Sequence, residues 1–168
     1  MLYQIDTNIL LRIAEPAHPM HAETLNALAV LRAKGDTVSV VPQNIIEFWN
    51  VATRSADQNG LGLTHWQTQA EVLRIEKMFQ LILDPPAIYA EWKRLVTAYA
   101  VEGKQVHDTR IVAAMNVHRI THLLTYNKNH FNRFTGIVVV SPPELILPPQ
   151  PSPPPAALAK SEEEEESK

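Results

Sequence analysis

The sequence contains no cysteine, which excludes a disulfide framework and any zinc site built on thiolates. It has no apolar run near the ~20 residues that a membrane-spanning helix needs. Its opening residues also lack a basic region followed by a long apolar stretch. The expectation is a soluble, cytoplasmic protein with no membrane partner. An excess of basic charge is missing too. The formal net charge is −3, but five of the 18 acids are Glu162 to Glu166, and two of the 15 basic residues are Lys160 and Lys168. Setting these aside leaves 13 acids against 13 basic residues. A neutral body neither demands nor forbids a nucleic-acid partner, but such a partner would need a local basic patch.

What is present is ordinary globular composition, 45% hydrophobic and 20% charged over 168 residues, enough for one domain with a proper core. From Pro148 the composition turns proline-rich and then acidic, and such sequence cannot bury apolar surface. We therefore expect one domain over residues 1–146 and a disordered tail over 147–168.

Residues 2–5 form a short apolar run of strand type, and Asp6 stands where it stops, ahead of Thr7-Asn8 and the apolar Ile9, Leu10 and Leu11. Residues 20–34 have helical spacing at Ala22, Leu25, Leu28, Ala29 and Arg32, and Gly35 ends the segment. Residues 37–41 are rich in β-branched side chains and predict a strand. Pro42 suits the first turn of a helix reaching about Arg54, with Ile45, Phe48, Trp49 and Ala52 on one face. A loop over 55–63 precedes a helix over 65–78 capped by Thr64, and a third strand is expected over 79–83. The helix over 88–101 places Tyr89, Trp92, Leu95, Val96 and Tyr99 on one side, which reads as core. Asp108 opens the next helix, whose buried face is Ile111, Val112, Met115 and His118. Strands over 121–124 and 137–140 complete the pattern. Strands alternating with helices predict an α/β fold with a mostly parallel sheet of about five strands, covered on both faces.

Three acids fall at matching places in that frame. Asp6 follows the first strand, Glu47 lies on the helix after the second, and Asp108 opens the helix before the fourth; Asn127 follows the fourth strand. Each acid alone can be read as a helix-start residue favoured by the cap or the dipole. Together they can converge at the carboxyl ends of parallel strands, where ligands collect. Clustered carboxylates raise each other's pKa unless a cation compensates. Mg²⁺ or Mn²⁺ is the natural compensator, and such a site suits phosphodiester hydrolysis.

The segments IDTNILL, QNIIEFWNV, VHDTRIVAAM and HLLTYNKNHFNRF, in this order and frame, resemble the PIN-domain ribonucleases, most closely the VapC-type toxins of bacterial toxin–antitoxin pairs. The resemblance runs from about residue 1 to 143. It implies a three-layer α/β/α fold and a Mg²⁺-dependent endoribonuclease acting on single-stranded RNA. It also implies a cognate antitoxin and a homodimer. It assigns Asp6, Glu47 and Asp108 to the metal, with Glu47 as a ligand or a water-activating group. Thr125 matches the hydroxyl residue after the fourth strand, and Asn8 orients Asp6. Family members usually carry a fourth acid where this chain has Asn127 or His130. Asn127 can still hold a water or bind through its carbonyl oxygen, whereas His130 reads as structural or substrate-side. Arg12, Arg54, Arg110, Lys128 and Arg133 are candidates for RNA phosphates, with Arg110 foremost.

Other readings compete. A phosphatase of the haloacid dehalogenase type would want a second Asp two residues after Asp6, and position 8 is Asn. A catalytically degenerate binding module is favoured only by the missing fourth acid. A PIN nuclease outside any toxin pair fits the same residues.

Overall fold

The computed structural model describes residues 1–146; the expected tail, 147–168, lies outside the described residues. The chain runs β1 (Leu2–Ile5), α1 (Thr7–Ala14), α2 (His21–Ala33), β2 (Thr37–Val40), α3 (Pro42–Thr53), a 3₁₀ turn (Ala56–Gln58) and α4 (His65–Met78). It continues with β3 (Gln80–Leu81), α5 (Ala87–Ala98), α6 (Gln105–His118), β4 (His122–Leu124), α7 (Lys128–Phe131), β5 (Val138–Val140) and α8 (Pro142–Ile146). The five strands form one sheet in the order β3-β2-β1-β4-β5, with every pairing parallel.

Helices cover both faces, as a parallel sheet requires. On one side Ile9, Leu10 and Ile13 of α1 pack with Leu28 and Leu31 of α2, Phe48 and Ala52 of α3, and Val72 and Ile75 of α4. On the other, Ile88 and Leu95 of α5 meet Ile111, Val112 and Met115 of α6 and Phe131 of α7. The architecture is the expected three-layer α/β/α arrangement. Among the described residues no helix is long and apolar enough to cross a membrane.

Four local readings need correction. The buried face of α2 is Thr24, Ala27, Leu28 and Leu31 rather than the face through Ala22, Leu25 and Arg32. Thr24 turns inward because its hydroxyl bonds the Tyr126 hydroxyl at 2.8 Å and donates to the Met20 carbonyl, so a polar residue fixes the helix rotation. The third strand shrinks to two residues at the sheet edge, where only β2 pairs with it. Tyr89 is not core: it is 67% exposed. Finally, the strand over 137–140 does not complete the pattern: Pro142 and Pro143 begin α8, capped by Ser141, whose N–H and hydroxyl both donate to Glu144 Oε2 at 2.6 and 3.0 Å.

One glycine holds the end of α3 in place. A Cβ at Gly60 would lie 2.0 Å from the Arg54 carbonyl oxygen, so only glycine lets the loop fold back there. The Gly62 N–H then donates to that carbonyl at 2.8 Å.

Phe48 is fully buried between these helices. Phe48→Ala should lower unfolding free energy by about 3–5 kcal/mol, read as a shift of the urea midpoint. A loss below about 1 kcal/mol would mean that α1 and α3 are not packed through this ring.

Candidate active site

The sheet grows to one side of β1 through β2 and β3 and to the other through β4 and β5. The winding reverses at β1, and open parallel sheets place ligands beyond the carboxyl ends of strands at such a switch point. Asp6 follows β1 at this place, and its N–H extends the ladder by donating to the Leu124 carbonyl at 3.0 Å. It occupies the N-cap position of α1, yet its side chain makes no capping hydrogen bond.

The carboxylate is held from the side instead. Asn8 Nδ2 donates to Asp6 Oδ2 at 2.7 Å and Thr125 Oγ1 donates to the same oxygen at 2.6 Å. Thr125, fully buried just past β4, in turn accepts from Asn8 Nδ2 at 3.0 Å and from the Asn127 N–H at 2.9 Å. Its one donor and two acceptor positions are all used, so it has no freedom to turn away. The Asp6 carboxyl is pushed up from its ordinary 3.8 to about 6, chiefly by burial, with the charges of Asp108 and Glu47 adding and the Thr125 bond opposing.

Glu47 reaches the same cavity from the second turn of α3. Thr7 Oγ1 donates to its Oε2 at 2.6 Å and Gln43 Nε2 donates to its Oε1 at 2.5 Å. Beneath them Asn44 Nδ2 donates to Thr7 Oγ1 at 3.3 Å, and Gln4 Nε2 donates to Asn44 Oδ1 at 2.8 Å. Asp108 stands in the first turn of α6, and His130 Nδ1–H donates to its Oδ2 at 3.0 Å. Burial raises the Asp108 carboxyl and the Glu47 charge adds to that, while His130 pulls it down.

Asp6, Glu47, Asp108, Asn8, Asn127 and His130 thus line one cavity of about 640 Å³. No lysine or arginine pairs with any of its three acids among the described residues. Negative charge is therefore gathered without a lysine or arginine paired to it, and hard oxygen donors of this kind suit Mg²⁺ or Mn²⁺. Among the described residues no three acid or histidine side chains already stand as a closed metal-binding group. Glu47 and Asp108 are engaged with their own partners.

The basic residues divide. Arg54 lines the cavity, as does Lys104, which the sequence reading passed over. Arg12 pairs with Glu15, Lys128 with Glu144, and Arg133 is not among the lining residues. Arg110 donates to Asp84 Oδ2 at 2.5 Å and to Gln43 Oε1 at 3.3 Å, so it borders the cavity rather than entering it. Gln43 and Thr7 were also missed. Gln43 sits one turn before Glu47, a spacing that brings side chains together, but an amide carries no motif.

The PIN domain family model matches residues 3–137. The chain belongs to the PIN domain family. No curated protein sequence matches it as a relative. Among solved structures, the PIN domain is similar to a chain of VapBC2 from Rickettsia felis, bound to a DNA fragment from its promoter. There the TM-score is 0.66 at 18% identity, covering 84% of this chain and 98% of that one. VapBC-1 from nontypeable Haemophilus influenzae gives 0.62 at 16%, covering 85% and 99%. Mycobacterium tuberculosis VapC20, a toxin that cleaves the sarcin–ricin loop, gives 0.52 at 16%, covering 72% and 86%. These likenesses establish a shared fold.

A buried acid with a raised pKa sets the sign of a pH effect. The folded PIN domain holds the Asp6 proton more tightly than the unfolded chain does, so this stabilisation is complete below about pH 4. It is lost as pH rises through about 6, at most about 3 kcal/mol for a shift of about two units. In metal-free buffer Asp6→Asn should match or exceed wild-type stability at pH 7.5 and lose that advantage by pH 4. Urea unfolding at both values checks it, and a variant much less stable at pH 7.5 would contradict the sign.

Proposed function

We propose that this PIN domain is a metal-dependent endoribonuclease that hydrolyses phosphodiester bonds in single-stranded RNA. We also propose that it is the toxin of a toxin–antitoxin pair, acting as a homodimer and inhibited by a cognate antitoxin. One observation carries the chemistry: three carboxylates from three elements line one cavity at the switch point of a PIN domain, and among the described residues no lysine or arginine is paired with any of them. The partner assignment leans on the similar folds of chains from VapBC complexes.

Asp6, Glu47 and Asp108 would hold Mg²⁺ or Mn²⁺, with Asn127 adding a carbonyl oxygen or an ordered water. The ion, when bound, supplies charge neutralisation at the scissile phosphate and lowers the pKa of an attacking water. The chain's own residues do the rest. Thr125 and Asn8 keep Asp6 from rotating, and Thr7 and Gln43 fix both oxygens of Glu47. Glu47, only half-buried, is placed to take the proton of the attacking water. Arg54 and Lys104, on opposite elements around the acids, meet backbone phosphates on either side of the cut.

A second reading has a specific observation behind it. Asp108 is hydrogen-bonded to His130, and the segment after β4 carries the neutral Asn127, an arrangement that fits a degenerate domain which binds RNA without cutting it.

Purified protein should cleave a mixed-sequence RNA with Mg²⁺ or Mn²⁺ and not with EDTA. Asp6→Asn and Asp108→Asn should each lose at least about 100-fold in rate while keeping the wild-type circular dichroism spectrum. Thr125→Val, which removes one of the two side-chain donors that hold Asp6, should lose about 10- to 100-fold, the usual cost of removing a ligand's supporting hydrogen bond. Metal-independent cleavage, or folded acid variants with wild-type rates, would sink the nuclease reading; RNA binding without any cleavage would favour the degenerate one.

A further inference from the structure

Beside the carboxylate cavity lies a second recess, about 440 Å³, walled by Asp84, Pro85, Pro86, Tyr89, Trp92 and Arg110. It is at the same carboxyl end of the sheet, because Asp84 comes after β3 as Asp6 comes after β1. The two hollows share a wall: Arg110 of the recess donates to Gln43, and Gln43 donates to Glu47 in the cavity.

Three features of this wall suit a flat ligand. Tyr89 and Trp92 lie with ring centroids 6.0 Å apart and planes inclined by 33°, and Tyr89 turns most of its surface to solvent. The Trp92 ring is set before anything arrives, since Nε1–H donates to the Val106 carbonyl at 3.0 Å. Asp84 spends one oxygen on Arg110, while its Oδ1 is buried without any hydrogen-bond partner, and an unsatisfied acceptor in a native site calls for an explanation. The recess also leads somewhere. Tyr89 borders a further shallow hollow along α5 lined by Lys93 and Arg94, and Lys93 is in no ion pair among the described residues.

An aromatic platform with Lys93 on one side and Arg110, paired to Asp84, on the other, next to a site for phosphate chemistry, resembles the pattern by which single strands are bound: bases stack and the backbone follows the positive charge. We propose that the Tyr89–Trp92 recess is a stacking subsite for an unpaired nucleobase of the RNA strand whose scissile phosphate lies over Asp6, Glu47 and Asp108. The assignment rests on the nuclease reading above and adds to it: the base next to the cut must be unstacked from its neighbours, so duplex RNA is refused. Arg110 then acts at the boundary, facing the phosphate between the stacked base and the cut.

The test separates binding from cleavage. A short fluorescein-labelled single-stranded RNA is titrated with wild type, Tyr89→Ala and Tyr89→Phe in EDTA, and anisotropy is read at several salt concentrations. Tyr89→Ala replaces an exposed helical residue with a good helix former, so its fold should be retained. It should bind roughly 5- to 100-fold more weakly, the range of one aromatic–base stack. Tyr89→Phe, which keeps the ring face, should bind as wild type. The salt dependence should be the same in all three, because no phosphate contact is removed. Wild-type affinity in Tyr89→Ala overturns the subsite. So does a fall in solution mass by light scattering with RNA affinity unchanged, which would make the face an interface between copies. Wild-type protein that binds no RNA overturns this and the nuclease reading together, whereas protein that cuts RNA with no dependence on residue 89 overturns this subsite alone.

Discussion

A single carboxylate, Asp6, buried at the end of the central strand is the constraint that the surrounding structure answers. Taking a charged carboxylate out of water is costly unless hydrogen bonds replace the solvent. Here the replacements come from Asn8 on α1 and from Thr125 beyond β4, so the strand pairing of β1 with β4 also sets the geometry of the site. A slip of one residue in that register would turn Thr125 away from Asp6. The parallel ladder, in which Ile5 lies beside Leu124, is therefore as much a part of the site as the acid.

A second layer supports the first. Gln4, Ser39 and Asn44 are polar, fully buried and mutually bonded beneath the cavity, in strand and helix-start positions where apolar residues would give a tighter core. Asn44 binds the Val41 N–H at the start of α3 and also braces Thr7, which braces Glu47. Cap, strand and acid are thus linked by one chain of side chains. Such networks fix a geometry when every member is satisfied, and a site that must hold repelling acids needs that fixity.

Much of this was legible in the sequence. The strand–helix alternation, the acids at strand ends and the Thr64 cap follow from local rules, and the Thr64 cap is present with Gln67 answering it. What was not legible depended on contacts distant in sequence. Thr24 faces inward only because Tyr126, 102 residues on, offers a hydroxyl. Gln43, Lys104 and the pairing of His130 with Asp108 have no periodicity or motif of their own. Tyr89 stands on the predicted face yet outside the core, because helical spacing reports a face and not what covers it. The Ser141–Glu144 cap is readable as a capping box, and the two prolines between them suit the first turn of a helix.

The missing fourth acid changes the balance of the site in a definite direction. An acid at the position of Asn127 or His130 would add one more negative charge to a cavity whose carboxylates already raise the Asp6 pKa. Asn127 instead contributes none, and His130 gives Asp108 a donor that holds it in the absence of a cation. A neutral Asn127 and a donor at His130 both lessen repulsion among the acids and so lower the cost of folding. On the metal-dependent reading proposed above, the same two residues would lower the electrostatic gain of admitting a divalent cation, because there is less uncompensated charge to relieve. Stability of the fold and affinity for such an ion would then be opposed through one quantity, the net charge around Asp6. Functional sites commonly carry such a conflict with the rest of the fold. In this PIN domain the neutral Asn127 and the His130 donor ease the repulsion around three acids that stand after β1, on α3 and on α6.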